Sequence, residues 1–142
     1  MTRPTKVGFL RNQAPKHWDF KREIPKIGLL SGASRVKGLQ GQEQEVEAIV
    51  DTGYTASLTL PPALITALGL RWQTMDTARL ADGSECIFSV YEARVVWDGK
   101  VRQILVDEAD ADPLVGMRRL KGHELKMQVR VRGKVTIKRL RR

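Results

Sequence analysis

A short apolar segment that ends in a carboxylate is the feature of this sequence that most constrains its fold. Residues 45–51 read Glu-Val-Glu-Ala-Ile-Val-Asp, which alternates at first and is then fully apolar. That pattern predicts a strand running from a half-exposed edge into a core. The strand ends at Asp51, and Thr52 and Gly53 follow it in a predicted tight turn. Because a carboxylate after a buried strand is costly unless it is paired or used, Asp51 is the first candidate for a functional side chain.

The two residues after Asp51 suit a turn that must meet another turn. The Thr52 hydroxyl can both donate and accept a hydrogen bond, so it can tie two turns together. Gly53 allows backbone geometry that a Cβ would block, and it lets another chain approach closely. Asp-Thr-Gly is nevertheless a short motif, and an Asp-initiated turn with a purely structural role is the alternative at this point.

Short strands and tight turns are predicted along most of the remaining chain. Asp82-Gly83, between β-prone residues 77–80 and 85–91, predicts a hairpin with Ala81 to Ser84 at its tip. Pro61 and Gly69 frame a predicted helix of about two turns, and a brief helix is predicted at 117–121. Further strands are predicted at residues 34–39, 58–60, 93–97, 101–106, 125–131 and 135–140. The whole pattern predicts a compact, mostly β barrel or sandwich.

Other segments are predicted to connect the strands or to fill the core. Turns are expected at residues 41–43, 98–99 and 133–134. Residues 107–112 carry four acidic side chains and are expected to form a solvated loop, because their spacing does not match a calcium-binding loop. The larger aromatic side chains of the strands are expected to fill the core or the barrel faces; these are Trp72, Phe88, Tyr91 and Trp97.

Charge is distributed unevenly over the 142 residues, whose net charge is +9. Residues 1–45 carry +5, residues 46–120 carry −4, and residues 121–142 carry +8. We therefore predict a basic, irregular or disordered extension at 1–33, one domain at 34–140 and a basic end at 141–142. Nucleic-acid binding is disfavoured because the basic ends contain no base-contacting motif and few aromatic residues.

Several classes of site find no support in the sequence. His17, Cys86 and His123 do not have metal-ligand spacing, so we expect no metal and no cofactor. No Gly-x-Ser-x-Gly element and no phosphate-binding glycine loop occur. The lone Cys86 excludes an intrachain disulfide, and no apolar run is long enough for a membrane span or a secretory signal. The expected location is the cytoplasm.

Three elements that occur in one order resemble a known family. They are the apolar-apolar-Asp-Thr-Gly element at 48–53, the Asp82-Gly83 hairpin about 30 residues later, and Leu114-Val115-Gly116 followed by a short helix. Over residues 34–140 this order resembles the retropepsin-like aspartic proteases, in particular the small bacterial single-domain members. Two positions depart from that family: Tyr54 stands where small residues are common, and Ala56 where glycine is expected. Val36 and Leu39 are the only good apolar residues of the first strand.

The resemblance implies a single-domain acid-protease barrel with two short helices that forms a twofold homodimer. It implies that Asp51, Thr52 and Gly53 form the catalytic turn. It also implies that Ala81, Asp82, Gly83 and Ser84 form a flap over an extended peptide or protein substrate. The strand of Leu114, Val115 and Gly116 would pass behind the catalytic turn and support it.

The implied activity is that of an aspartic-type endopeptidase. An Asp51 carboxylate from each of two copies would share one proton and activate a water molecule. A second copy is required because the chain holds one Asp-Thr-Gly and is too short for two lobes. The alternative is a catalytically silent protein of the same fold that serves as a binding or interaction module; contact with nucleic acid through its basic ends is one form of this alternative.

Overall fold

The described part of the chain comprises residues 3–4, 26–28, 35–97, 99–130 and 133–141 of a computed structural model. Every structural statement below concerns those ranges. Most of the predicted extension at 1–33 lies outside them. So do Ser34, Asp98 of the predicted second turn, residues 131–132 and Arg142.

Short strands dominate the described chain, as the sequence predicts. The strands are β1 (Arg3–Pro4), β2 (Lys26–Gly28), β3 (Val36–Lys37), β4 (Glu43–Gln44), β5 (Glu47–Val50), β6 (Leu58–Leu60), β7 (Arg71–Arg79), β8 (Glu85–Trp97), β9 (Lys100–Glu108), β10 (Leu114–Val115), β11 (His123–Met127) and β12 (Val135–Arg139). The helices are α1 (Pro62–Leu68) and α2 (Met117–Leu120). The prediction of a mostly β fold with two short helices is confirmed.

Ten of these strands form one curled sheet with the shape of a half-barrel. The main path through the sheet is β1-β7-β8-β9-β6-β10-β5-β2, while β3 pairs with both β8 and β4. The strands β11 and β12 form a separate antiparallel ribbon. Strand β10 pairs parallel with β5 and antiparallel with β6, so a late segment of the chain enters between two early ones.

The predicted hairpin at Asp82-Gly83 is confirmed, and its arms are longer than predicted. Gly83 has a φ of +85°, and its amide donates to the Leu80 carbonyl at 3.0 Å. Strand β8 also continues through Glu92, where the sequence predicts a break between two strands. The prediction of a break is wrong, because the buried Glu92 carboxylate finds hydrogen-bond donors within the sheet. Arg71 donates to it at 2.6 Å and Gln73 at 2.8 Å.

One apolar core fills the interior of the curled sheet. Strands β5, β6, β8 and β9 contribute most of its buried side chains, and α1 adds Ile65 and Leu68. The helix begins at Pro62 and ends at Gly69, whose φ of +59° is left-handed, as the framing by proline and glycine predicts. A smaller second cluster lies under the Asp51 turn and contains Ile49, Tyr54, Ala56 and Leu114.

The first strand differs from the prediction for residues 34–39. Only Val36–Lys37 forms a strand there, and the following turn comes before Glu43 rather than at 41–43, because Glu43–Gln44 already belongs to β4. The outer edge of β5 is instead paired with β2. The division of the chain at residue 33 stays a prediction.

Two predictions about individual side chains are wrong. Trp72 is 54% exposed rather than in the core, because it lies in the exposed first half of β7, whereas Trp97 is 5% exposed as predicted. Asp107 and Glu108 end strand β9 rather than beginning a solvated loop, and Asp107 is buried. No helix of the described residues is both long and apolar enough to cross a membrane.

Candidate active site

Asp51 lies directly after β5 and is held from behind by β10. Its amide donates to the Val115 carbonyl at 3.0 Å, and the Ile49 amide donates to the Pro113 carbonyl at 2.8 Å. These bonds continue the parallel pairing in which Leu114 lies opposite Ile49. The Asp51 side chain is thereby fixed at the end of a buried strand, with 7% of the residue exposed.

The turn after Asp51 is closed by two hydrogen bonds. The Gly53 amide donates to Asp51 Oδ1 at 2.9 Å, and the Tyr54 amide donates to the Asp51 carbonyl oxygen at 3.1 Å. Thr52 is exposed at the tip of the turn and Gly53 is half-buried. The φ angle of Gly53 is not positive. A left-handed backbone is therefore not the reason for a glycine at this position.

Burial raises the pKa of the Asp51 carboxyl above its ordinary value of 3.8. The amides of Gly53 and Tyr54 act in the opposite direction, because they stabilise the ionised form, but desolvation is the larger effect. The structure therefore favours a protonated Asp51 to a greater degree than an exposed turn would. A proton retained on a carboxyl group is what a general acid needs.

The predicted supporting strand contacts the turn through its backbone. The Gly116 amide donates to the Ser57 carbonyl at 3.0 Å, and the Met117 amide donates to the Tyr54 carbonyl at 2.7 Å. The Leu114 amide donates to Thr59 Oγ1 at 2.9 Å. The structure thus brings Leu114, Val115 and Gly116 against the segment that follows Asp51.

Gly116 permits the closest of these approaches. A Cβ at this position would lie 2.2 Å from the Ala56 carbonyl oxygen and 2.4 Å from Tyr54 Cδ1. Real Cβ atoms do not come so near to backbone atoms, so a side chain would push α2 away from the turn. The apolar-apolar-Gly pattern therefore has a steric cause in this fold.

Tyr54 and Asp107 belong to the same region, although the sequence did not identify them as a pair. Tyr54 is fully buried, and its hydroxyl donates to Asp107 Oδ2 at 2.6 Å. The Tyr54 hydroxyl oxygen also lies 3.3 Å from the Leu58 carbonyl oxygen. The departure from small residues at position 54 was the available clue, since a large polar-tipped residue in an apolar turn needs a partner.

The hairpin tip does not join the Asp51 turn through any polar contact among the described residues. The hydrogen bonds of Ala81 to Ser84 stay within the hairpin, where Ser84 donates to Asp82 Oδ1 from its amide and its hydroxyl. All four tip residues are exposed.

A cavity of about 250 Å³ lies between the hairpin arms and the buried pair of Tyr54 and Asp107. Its walls include apolar residues of both arms, among them Ala78, Leu80 and Phe88. The cavity therefore connects the hairpin to the neighbourhood of the turn. In the described ranges, no three His, Cys, Asp or Glu side chains are grouped so that they could hold a metal ion.

The chain matches no protein-family model and no curated protein. Among solved structures it is similar to EIAV protease, a retroviral protease, in complex with the inhibitor HBY-793. The TM-score is 0.50 at 14% sequence identity, and the match covers 73% of this chain and 90% of that chain. At this identity the likeness concerns the fold alone. This chain therefore has a retropepsin-like β fold.

Proposed function

We propose that this chain is an aspartic-type endopeptidase that acts as a twofold homodimer, with Asp51 of each copy forming the catalytic pair. The observation that carries the proposal is the Asp51 turn: a buried carboxyl with a raised pKa, at the end of a core strand and braced by β10. The retropepsin-like fold supports the same conclusion.

The chemistry follows from bringing two such carboxyls together. At about 3 Å apart they cannot both ionise, so they share one proton. The ionised carboxylate removes a proton from a water molecule, which attacks the peptide carbonyl carbon. The protonated carboxyl polarises the carbonyl oxygen and later protonates the leaving nitrogen. No cofactor is needed for these steps.

In this proposal the second copy contacts the exposed side of the Asp51 turn. Thr52 is exposed in the single chain although its neighbour Asp51 is buried. In the proposed dimer, the Thr52 hydroxyl of each copy bonds to the partner's turn, and the absence of a side chain at Gly53 lets the two turns approach. The homodimer itself is part of the proposal.

The substrate in this proposal is an extended peptide segment. It lies between the two turns and the hairpin tips, and its main chain forms strand-like hydrogen bonds. Ala81, Asp82, Gly83 and Ser84 close over it as a flap. The 250 Å³ cavity beside the hairpin receives one apolar side chain of the substrate.

The test is cleavage of a denatured protein mixture between pH 4 and 8 by the wild type and by Asp51→Asn. Asn keeps the shape of Asp but cannot share the proton, so we expect activity to fall by roughly a hundredfold or more. Asp110→Asn is the matched control, because it removes a carboxylate from an exposed loop. A peptide mimic of the tetrahedral intermediate should inhibit the wild type.

The mass of the native protein must be measured on the same samples. Cleavage by a dimer that Asp51→Asn abolishes and Asp110→Asn preserves would support the proposal. A dimer without activity would instead favour the silent binding module. Cleavage by a strict monomer would exclude a dyad made from two copies of Asp51.

A further inference from the structure

A second cavity, of about 520 Å³, lies between β9 and α2 and is lined by an unusual number of cations. Arg102 comes from β9, and Arg118 and Arg119 come from α2. Ser57 and Gln103 add a hydroxyl and an amide, and no described carboxylate belongs to its lining. The cavity is thus a cluster of hydrogen-bond donors without an acidic counterpart.

Within the described ranges, none of the three guanidinium groups has an ion-pair partner. The ion pairs of the described residues involve other cations, and none includes Arg102, Arg118 or Arg119. The Nε atoms of Arg102 and Arg119 are moreover buried without a hydrogen-bond partner. Buried donors are normally satisfied, so these two call for an acceptor that the described chain does not supply.

The arginines are also held close enough to affect one another. Desolvation by burial lowers the pKa of Arg119, and the charge of Arg102 lowers it further. Arg119 is nevertheless fixed in place, because its guanidinium carbon lies 5.1 Å from the centroid of the buried Trp97 ring. Arg102 lies opposite Val95, on the face of β9 that also carries the core residue Ile104.

We propose that this cavity is a binding site for an anionic small molecule, which it recognises through a phosphate or carboxylate group. Guanidinium forks match both oxyanions and bind them with two parallel hydrogen bonds. An anion would neutralise the repulsion between Arg102 and Arg119. The volume is larger than a single phosphate needs and falls in the range of small-molecule sites.

This site is separate from the proposed catalytic chemistry. None of its lining residues belongs to the Asp51 turn itself, although Ser57 follows that turn in the chain. Anion binding is therefore expected in Asp51→Asn as in the wild type. Failure of the protease proposal would leave this one standing, and the reverse also holds.

The experiment is calorimetric titration of the full 142-residue chain with inorganic phosphate, pyrophosphate and citrate at constant ionic strength. We expect saturable binding by the wild type and roughly tenfold weaker binding by Arg102→Gln and by Arg118→Gln. Arg79→Gln is the matched control. This substitution removes the same charge at a distant position. Arg79 lies opposite Glu85 at the start of β8, whereas Arg102 lies opposite Val95 near the end of that strand.

Each outcome decides the proposal. Saturable binding that the arginine substitutions weaken supports the site. A comparison of the affinities for the phosphate compounds and for citrate identifies which oxyanion the site prefers. Absence of saturable binding, or equal weakening by Arg79→Gln, overturns it. Binding of a single-stranded oligonucleotide that depends on the Lys and Arg residues of 121–142, with no binding of the small anions, would also overturn it. Arg118 is exposed, so Arg118→Gln keeps the test valid if Arg102→Gln does not fold.

Discussion

The Tyr54 hydroxyl donates a 2.6 Å hydrogen bond to Asp107 Oδ2, and both residues are buried. They are 53 positions apart in the chain. The bond joins the segment after Asp51 to the end of β9, so the candidate turn is fastened to the strand that lines the neighbouring cavity. A buried donor or acceptor that loses its partner costs more than the net gain of an average hydrogen bond, so this contact matters for stability.

Replacing Tyr54 with Phe should therefore destabilise the protein. The substitution preserves the ring and removes the bond to Asp107, and we expect the free energy of unfolding to fall by about 1–3 kcal/mol. Urea denaturation measures this loss. Tyr91→Phe is the control, since Tyr91 is only half-buried and no described hydrogen bond involves its hydroxyl. Equal losses for the two variants would contradict the importance of the Asp107 bond.

Gly116→Ala should be far more damaging than its size suggests. The new Cβ would lie 2.2 Å from the Ala56 carbonyl oxygen, and the surrounding backbone is fixed by hydrogen bonds. We expect a loss of about 3 kcal/mol or more. Gly99→Ala provides the comparison, because a Cβ there meets no atom within 4 Å. Its only expected cost is the strain of an alanine at the left-handed φ of +71°. A Gly116→Ala protein as stable as Gly99→Ala would contradict the steric argument.

Asp51→Asn should stabilise the protein at neutral pH. The raised pKa means that folded Asp51 holds its proton above pH 3.8, where the unfolded chain has begun to lose it. The free energy of unfolding of the wild type therefore falls as the pH rises from 3.8 through the folded pKa. Asn does not titrate, so its advantage in melting temperature should grow over that window and then stay constant.

Thermal melts of both proteins between pH 3.5 and 8 test this dependence, with Asp110→Asn as the control. A constant difference between wild type and Asp51→Asn over the whole range would show that ionisation of Asp51 has no cost in the folded state. The control removes a carboxylate from an exposed position, so a change shared by both variants would not come from the burial of Asp51.

Asp82→Ala should loosen the hairpin tip. Asp82 Oδ1 accepts from the Ser84 hydroxyl at 2.5 Å and from the Ser84 amide at 2.8 Å. We expect faster hydrogen exchange of the Ser84 amide in Asp82→Ala, and a smaller increase in Ser84→Ala, which removes only the hydroxyl bond. The reverse order would show that the amide bond does not hold the tip.

The same hydrogen bonds give the tip a pH dependence. They lower the pKa of Asp82, and the Ser84 hydroxyl has the larger effect. The carboxylate therefore contributes fully above its ordinary pKa of 3.8, and this contribution is lost as the pH falls through the lowered value.

Local patterns in the sequence predicted those elements that have local causes. The Asp82-Gly83 turn, the Pro-to-Gly frame of α1 and the apolar strand before Asp51 all depend on neighbouring residues, and the structure has each of them. The fold class followed from their sum.

Elements that depend on distant partners were missed. Most of β7 has no alternating apolar pattern, because it is exposed and is held by pairing with β8. The continuity of β8 at Glu92 depends on Arg71, 21 positions earlier. The burial of Asp107 depends on Tyr54 in the same way. No pattern within a short window contains such information, since each partner lies far away in the sequence.

The insertion of β10 between β5 and β6 has a consequence for biosynthesis. The backbone around Asp51 is complete only when the Pro113 and Val115 carbonyls accept their bonds from it, some 64 positions later. A nascent chain that has not yet emerged beyond this point has the Asp-Thr-Gly sequence but lacks the scaffold that shields its carboxyl. The order of synthesis thus delays formation of the braced turn until the chain has been made beyond Val115, and a fragment that ends before Leu114 should never acquire it.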